Sequence, residues 1–242
     1  MKQLYETYKS LQEIRVKLEQ QIHALKSKDN EMQLVNIRTR IFKQISKTEH
    51  TIYAYMKANL AYEPIWTEWL ERVEGVGVVT ASAIVSYLTP ISKFETVSKL
   101  WRYCGYACID GKAEKPIKGQ KLKYNPRLKT LLWLLGESFV KTKGFYRKVY
   151  EQVREEYNRK WQTPEDCKSP ICRVVGRCTD SHKFEASKRK VIKIFLAHYF
   201  AVARDLAGLP VQMPYVIEYV KGHEHYIEPP YYRLSKWQVE GV

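Results

Sequence analysis

Cys167, Cys172, Cys178 and His182 stand at the spacing C-x4-C-x5-C-x3-H, all within 16 residues. Three thiolates and an imidazole are a common structural zinc set, because the ion takes soft or borderline ligands in a tetrahedron. A short segment can supply that tetrahedron only if its backbone turns back on itself more than once. Ser169-Pro170 in the first interval and Gly176 in the second permit such turns. The predicted metal site is therefore Cys167, Cys172, Cys178 and His182 around Zn. The same residues also read as ordinary small buried cysteines, or as a disulfide pair. Three of the five cysteines and one of the six histidines crowd into this one polar, loop-like stretch, which favours metal.

A second chemistry is phosphate binding. Val73-Glu74-Gly75-Val76-Gly77-Val78-Val79-Thr80-Ala81 sets two glycines one residue apart ahead of a small-residue run. That pattern predicts a tight turn opening into a helix, whose first amides are unpaired and suit phosphate oxygens. Gly75, Val76, Gly77 and Thr80 are the candidate contacts; the alternative is a glycine turn between two core helices. With no third glycine and no strand pattern, a dinucleotide fold is a poor reading. Residues 112–160 then carry 14 Lys+Arg against five Glu, a net +9. Lys112, Lys115, Lys118, Lys121, Lys123 and Arg127 lie there among Gly111, Pro116, Gly119 and Pro126. Such a basic loop is the usual form of an arm that contacts a nucleic-acid backbone, or else simply a solvated face.

The elements that must position these residues read as helices, giving a mostly α fold. Over residues 1–62, Leu4, Tyr8, Leu11, Leu18, Ile22 and Leu25, with Ile14 beside them, form one apolar seam. Residues 26–30 break it, and Leu34, Ile37, Ile41, Ile45 and Ile52 resume it. This is a coiled coil or helical hairpin, read as pairing two subunits into a homodimer; the alternative is a hairpin closed within one chain. A helical nucleic-acid-binding domain is expected over 63–162, a small zinc-binding loop over 163–185 and a closing helix over 186–210. An extended tail rich in Tyr, Pro and His follows over 211–242, draped on the body or a partner. Leu131, Leu132, Leu134 and Leu135 predict a buried helix, and 145–161 an exposed amphipathic one. His198 on the closing helix reads as a buried or surface histidine rather than a ligand.

Charge and composition narrow the function. Lys and Arg number 41 against 26 Asp and Glu, a formal +15 over 242 residues, which favours salt-dependent binding to a polyanion. No apolar run of membrane-spanning length appears, and the N-terminus lacks the apolar core of a signal peptide. No membrane partner is expected. Five cysteines do not make a disulfide scaffold, so a reducing, intracellular setting is expected, cytoplasmic or nucleoid-associated.

The cysteine–histidine spacing resembles the CCCH class of zinc finger, whose members often bind nucleic acid, RNA in particular. The string at 73–81 resembles a helix-hairpin-helix turn, which grips a duplex backbone without reading its sequence. With Phe94, Leu100, Tyr103-Cys104-Gly105-Tyr106-Ala107, the basic loop, Asn125-Pro126-Arg127-Leu128-Lys129-Thr130-Leu131-Leu132 and the helix bearing Lys188-Arg189-Lys190, it resembles a larger whole. These segments look like the C-terminal half of the IS-one-ten group of RuvC-like insertion-sequence transposases, over about residues 30–208, with the zinc loop inserted. That resemblance implies a coiled coil followed by a helix-hairpin-helix transposase domain, in enzymes that act as RNA-guided recombinases. No counterpart of the group's acidic nuclease domain is expected ahead of the helical seam. Where the group carries a nucleophilic serine in a Ser-Gly segment, this chain reads Cys108-Ile109-Asp110-Gly111, and Cys108 is expected to be buried. No catalytic residue is therefore assigned. The expected function is non-enzymatic binding of duplex DNA or structured RNA. Alternatives are a recombinase subunit with a separately encoded catalytic partner, and a structural assembly protein.

Overall fold

Helices α1 (Lys2–Leu25) and α2 (Met32–Leu60) open the chain, followed by the short α3 (Pro64–Thr67), which begins on a proline. After them come α4 (Val78–Leu88), α5 (Val97–Tyr103), the two-residue strands β1 (Cys108–Ile109) and β2 (Lys112–Ala113), α6 (Pro126–Lys141) and α7 (Phe145–Lys160). The short helices α8 (Pro164–Cys167) and α9 (Pro170–Val175) lead into α10 (Asp180–Leu206). The computed structural model describes residues 1–26, 32–109, 112–113, 118–167, 169–211 and 227–235, with backbone only at 109 and 112–113. The mostly α class expected from periodicity is the one found. The turn expected at 26–30 lies, beyond Lys26, outside the described residues.

The chain divides into two units: Met1–Thr67 with Gly77–Leu88, and Glu68–Val76 with Thr89–Val242. In the first, α1 and α2 form a hairpin, and α4 packs on both. α4 is rich in Ala and Ser, and Ala81, Ser82, Ala83 and Ile84 are fully buried. Tyr5 meets Tyr87 edge-on with ring centroids 6.2 Å apart. Glu49 is buried midway along α2, and its two carboxylate oxygens accept from Arg15 Nε at 2.9 and 3.0 Å. A pair of this kind tolerates no slippage of one helix along the other, since a shift would leave a carboxylate buried alone. The stripe read from the sequence of α2 is not what the hairpin buries. Val35, Met56 and Leu60 are buried, whereas Leu34, Ile37 and Ile41 remain exposed.

α10 is the spine of the second unit, packed against α7, α6 and α5. Phe195 and Tyr199 of α10 meet Trp69, Phe139 and Tyr146 in one aromatic core, with Phe139 and Tyr146 stacked at 4.5 Å. α6 approaches α10 closely at Gly136, where a Cβ would stand 2.7 Å from Ile192 Cδ1. Beside it Lys188 is fully buried, paired with Glu137 and Glu185 and lying 3.2 Å over the Trp133 ring. Leu132 and Leu135 of α6 are buried as expected, but Leu134 is largely exposed. Its side chain leaves the α10-facing stripe because residues two positions apart do not share a helix face. α7 is half-buried along Tyr146, Val149, Tyr150 and Val153 rather than a solvent-exposed helix. The described part of the tail packs on the same unit. Pro230 O accepts from Trp69 Nε1 at 2.8 Å, and the Tyr232 hydroxyl donates to Asp205 at 2.9 Å. His223 and His225 lie outside the described residues.

His198 is buried on α10, as its sequence context suggested. Its Nδ1 accepts from the Tyr146 hydroxyl at 2.8 Å, and its Nε2 donates to Ile227 O at 2.6 Å, which suits one neutral tautomer. Burial pushes its pKa down from 6.5 to about 4, against the opposing bond to Ile227. The unfolded chain binds a proton at His198 that the folded chain refuses, so stability is lost as pH falls through this window. Urea unfolding followed from pH 7 to pH 4 should lose about 3 kcal/mol from this group. His198→Gln should flatten that part of the profile.

Candidate metal centre and nucleic-acid interface

Each cysteine of the predicted set is held by the end of a helix. Asp166 holds the start of α8: its carboxylate accepts from the Thr163 amide at 2.7 Å and the Thr163 hydroxyl at 3.0 Å. Those bonds, with one from the Gln162 amide, hold the Asp166 carboxyl below its ordinary pKa. The cap fixes Cys167 at the last position of α8. α9 starts on Pro170 and ends at Gly176, whose φ of +74° is the left-handed conformation that glycine adopts freely. Cys172 lies inside that one-and-a-half-turn helix, fully buried. Thr179 then caps α10, its hydroxyl accepting from the His182 amide at 3.2 Å.

These caps bring the Cys167, Cys172 and Cys178 thiols within 4.8 Å of one another. Zn–S bonds of about 2.3 Å set sulfur–sulfur edges of about 3.8 Å in a tetrahedron, so the cluster needs to contract by about 1 Å at most. The donor set therefore fits a thiophilic ion, and the cluster can coordinate a metal. Burial opposes ionisation of Cys172, yet bonds from the Thr179 amide, Ser169, Cys167 and the Thr179 hydroxyl hold its pKa below the ordinary thiol value. Burial and the neighbouring Cys167 and Cys172 push Cys178 up to about 12. Packed thiols thus differ in how readily they yield a proton, as expected when several share one small space.

His182 is not within the thiol set. Its ring stacks on Trp161 at 5.2 Å, and Trp161 in turn stacks on Tyr157 at 4.1 Å. Its Nε2 is enclosed and has no hydrogen-bond partner among the described residues. Burial, with the Arg189 charge, lowers its pKa, which favours the neutral ring a metal requires. The stretch expected to be loop-like is largely helical, and α10 begins early enough, at Asp180, to carry His182. Sequence reading missed Thr179, whose amide also reaches Cys172 Sγ at 3.4 Å. The cap spacing Thr179-Asp180-Ser181-His182 is the signal that locates it.

The phosphate-binding candidates divide. Gly75 has a φ of +92°, and a Cβ there would stand 3.0 Å from Ser138 Oγ and 3.2 Å from Phe139. Its carbonyl accepts from Ser138 Oγ at 2.9 Å. Packing on α6 thus accounts for this glycine. Val76 is buried, and its amide is spent on Val73 O at 3.1 Å. Gly77 is exposed with open space around it, and Thr80 lies half-buried in the first turn of α4. In the basic loop Lys118, Lys121 and Lys123 are exposed with no acidic partner among the described residues, and Arg127 is exposed in the first turn of α6. The side chain of Lys112, and Lys115 entirely, fall outside the described residues. Elsewhere in the basic window Arg147 pairs with Glu151, Arg154 with Asp180 and Lys160 with Glu156. Cys108 is exposed, correcting the expectation of burial, because it sits on the two-residue ribbon β1–β2 and not inside a helix.

No helix among the described residues is long and apolar enough to cross a membrane. Residues 67–151 match the family model described as the transposase IS116/IS110/IS902 family. That span runs from the end of α3 into α7 and takes in the glycine turn and the basic loop. No curated protein and no solved structure matches the chain.

Metal removal is the direct check on the cluster. Addition of zinc to the metal-stripped protein should raise its melting temperature, since a structural ion contributes folding energy directly. Cys172→Ser should abolish that rise and lower the zinc content measured by atomic absorption. Equal melting curves with and without zinc would leave the three thiols as ordinary packing residues.

Proposed function

We propose that this chain is a nucleic-acid-binding protein, its central segment related to insertion-sequence transposases, that grips phosphodiester backbones without reading base sequence. The observation that carries the proposal is the row of exposed, acid-free cations Lys118, Lys121 and Lys123, with Arg127 beyond them, inside the segment that matches the transposase family. Charge placed in this way releases counterions from a nucleic acid and imposes a steep salt dependence. Gly77 and the opening amides of α4 add a second phosphate contact, with Thr80 beside them. Gly75 supports the turn through its packing on Ser138 and Phe139.

Zinc is the metal of the thiol cluster in this reading, with His182 as fourth ligand; its enclosed, unpartnered Nε2 supports that choice. The ion would tie α8 and α9 to the start of α10 and supply rigidity rather than catalysis. The exposed stripe Leu34, Ile37 and Ile41 supports a homodimer through the N-terminal helices, because apolar residues at steps of three and four need a facing helix. The family match also favours a second reading, in which the protein serves a recombinase whose catalytic subunit is separately encoded.

Lys118→Gln, Lys121→Gln and Lys123→Gln together should weaken binding to both a DNA duplex and an RNA hairpin. The slope of log affinity against log salt should fall by about 2–3, at 0.7–0.9 per phosphate contact. Unchanged affinity in a fluorescence-anisotropy titration would remove the loop from the interface. For the dimer, Ile37→Lys with Ile41→Lys should convert the protein to monomer in sedimentation equilibrium while leaving its helicity unchanged.

A further inference from the structure

α2 carries a second surface, distinct from both its hairpin face and its exposed apolar stripe. Asn36, Thr39, Arg40, Lys43, Gln44 and Lys47 line an open groove of about 460 Å³ along this helix. Residues 32–48 hold Arg38, Arg40, Lys43 and Lys47 and no acidic residue. Arg40, Lys43 and Lys47 are exposed, and no acid pairs with them among the described residues. Glu49, the next carboxylate along the helix, is buried and committed to Arg15. The hydroxyl of Thr39 is also committed, donating to Val35 O at 2.7 Å. The groove therefore presents cations and amides, and offers hydrogen bonds without an opposing charge.

The order of these residues is regular. Asn36, Arg40, Lys43, Lys47 and His50 follow steps of four, three, four and three, which keeps a stripe nearly straight along a helix. At 100° per residue the stripe lies about 130° round the helix from Leu34, Ile37 and Ile41. One helix thus separates an apolar face from a cationic one. From Arg40 to Lys47 the rise is about 10 Å at 1.5 Å per residue. That is close to three nucleotide steps at about 3.4 Å per strand residue.

We propose that this stripe is a second docking surface for a phosphodiester backbone, held by Arg40, Lys43 and Lys47. The inference rests on the nucleic-acid reading above and adds a contact that the central segment does not supply. The polar character of the groove distinguishes it from a membrane-binding surface. A helix that lies on lipid carries its basic residues on a polar face and frees the other, apolar face to enter the bilayer. Here Asn36, Thr39 and Gln44 stand among the cations, and the apolar stripe Leu34, Ile37 and Ile41 is the face assigned above to a second copy of the chain.

The test uses the full-length protein, its variant Arg40→Gln/Lys43→Gln/Lys47→Gln, and the control Arg40→Lys/Lys43→Arg/Lys47→Arg. Each is titrated against a DNA duplex, an RNA hairpin and phosphatidylserine–phosphatidylcholine vesicles over a range of salt. The neutral variant should keep the wild-type circular dichroism and lose about 2–3 from the salt slope on at least one nucleic acid. The control should keep the wild-type slope. The nucleic acid that responds identifies the backbone bound. A wild-type slope for the neutral variant on both nucleic acids overturns the groove assignment while the central loop stands. A loss confined to the vesicles overturns it in favour of lipid. Failure of the wild-type protein to bind either nucleic acid at low salt overturns this inference together with the reading beneath it.

Discussion

The burial of the Lys188 ammonium is the constraint on which the second unit turns. A charge removed from water costs several kcal/mol, and the surroundings must return that amount. They do so from two helices. Glu137 of α6 and Glu185 of α10 supply the counter-charges, while Trp133 of α6 and Phe184 of α10 present ring faces at 3.2 and 4.9 Å. The arrangement is satisfied only at one register of α6 against α10, and Gly136 lets the two backbones come close enough for it. α10 also carries the aromatic core at Phe195 and Tyr199, and its capped first turn closes the cysteine segment, so fixing its register fixes both.

From that anchored helix the cysteine cluster follows with few additional demands. Its three thiols converge because three short stretches of backbone are each stopped at a defined point: Thr163 with Asp166, Gly176, and Thr179. Hydrogen-bonded caps of this sort are worth about 1 kcal/mol apiece, too little to order a long loop but enough to aim a four- or six-residue helix. The ion would then complete an arrangement that the chain has already largely made. The stacked rings of Tyr157, Trp161 and His182 close one side of α10's first turn. They hold the imidazole in its plane.

Helical class, the hairpin and the convergence of Cys167, Cys172 and Cys178 were legible because each depends on short-range spacing. Periodicity of three and four marks a helix, and a cluster of cysteines near turn residues marks a knuckle. Other features lay beyond that reach. Leu34, Ile37 and Ile41 look like a core seam in sequence, but an apolar stripe does not state which partner covers it. Gly75 and Gly77 look alike, yet one meets Ser138 and Phe139 from a helix more than sixty residues away and the other meets open space. The burial of Lys188 in a basic run was equally invisible, since Glu137 and Trp133, which cover it, come from α6. The surroundings of Gly75 and Lys188 depend on long-range contacts that no local pattern encodes.

The same distinction governs how the net charge should be understood. A formal +15 is a property of composition, and on its own it says only that polyanions are attracted. The fold sorts those charges by what they touch. Lys188 is buried, Lys190 and Lys160 share Glu156, Lys193 lies 4.2 Å over Trp101, and Arg15 serves Glu49. A cation already engaged gains little from a phosphate, because its existing bonds would have to be exchanged rather than added. Lys118, Lys121 and Lys123 in one unit, and Arg40, Lys43 and Lys47 in the other, have no such bonds among the described residues. Their interaction with a polyanion would be a net gain, with the released counterions as its driving force. The attraction to a polyanion is therefore better judged from side chains unengaged in this way, these six among them, than from the total.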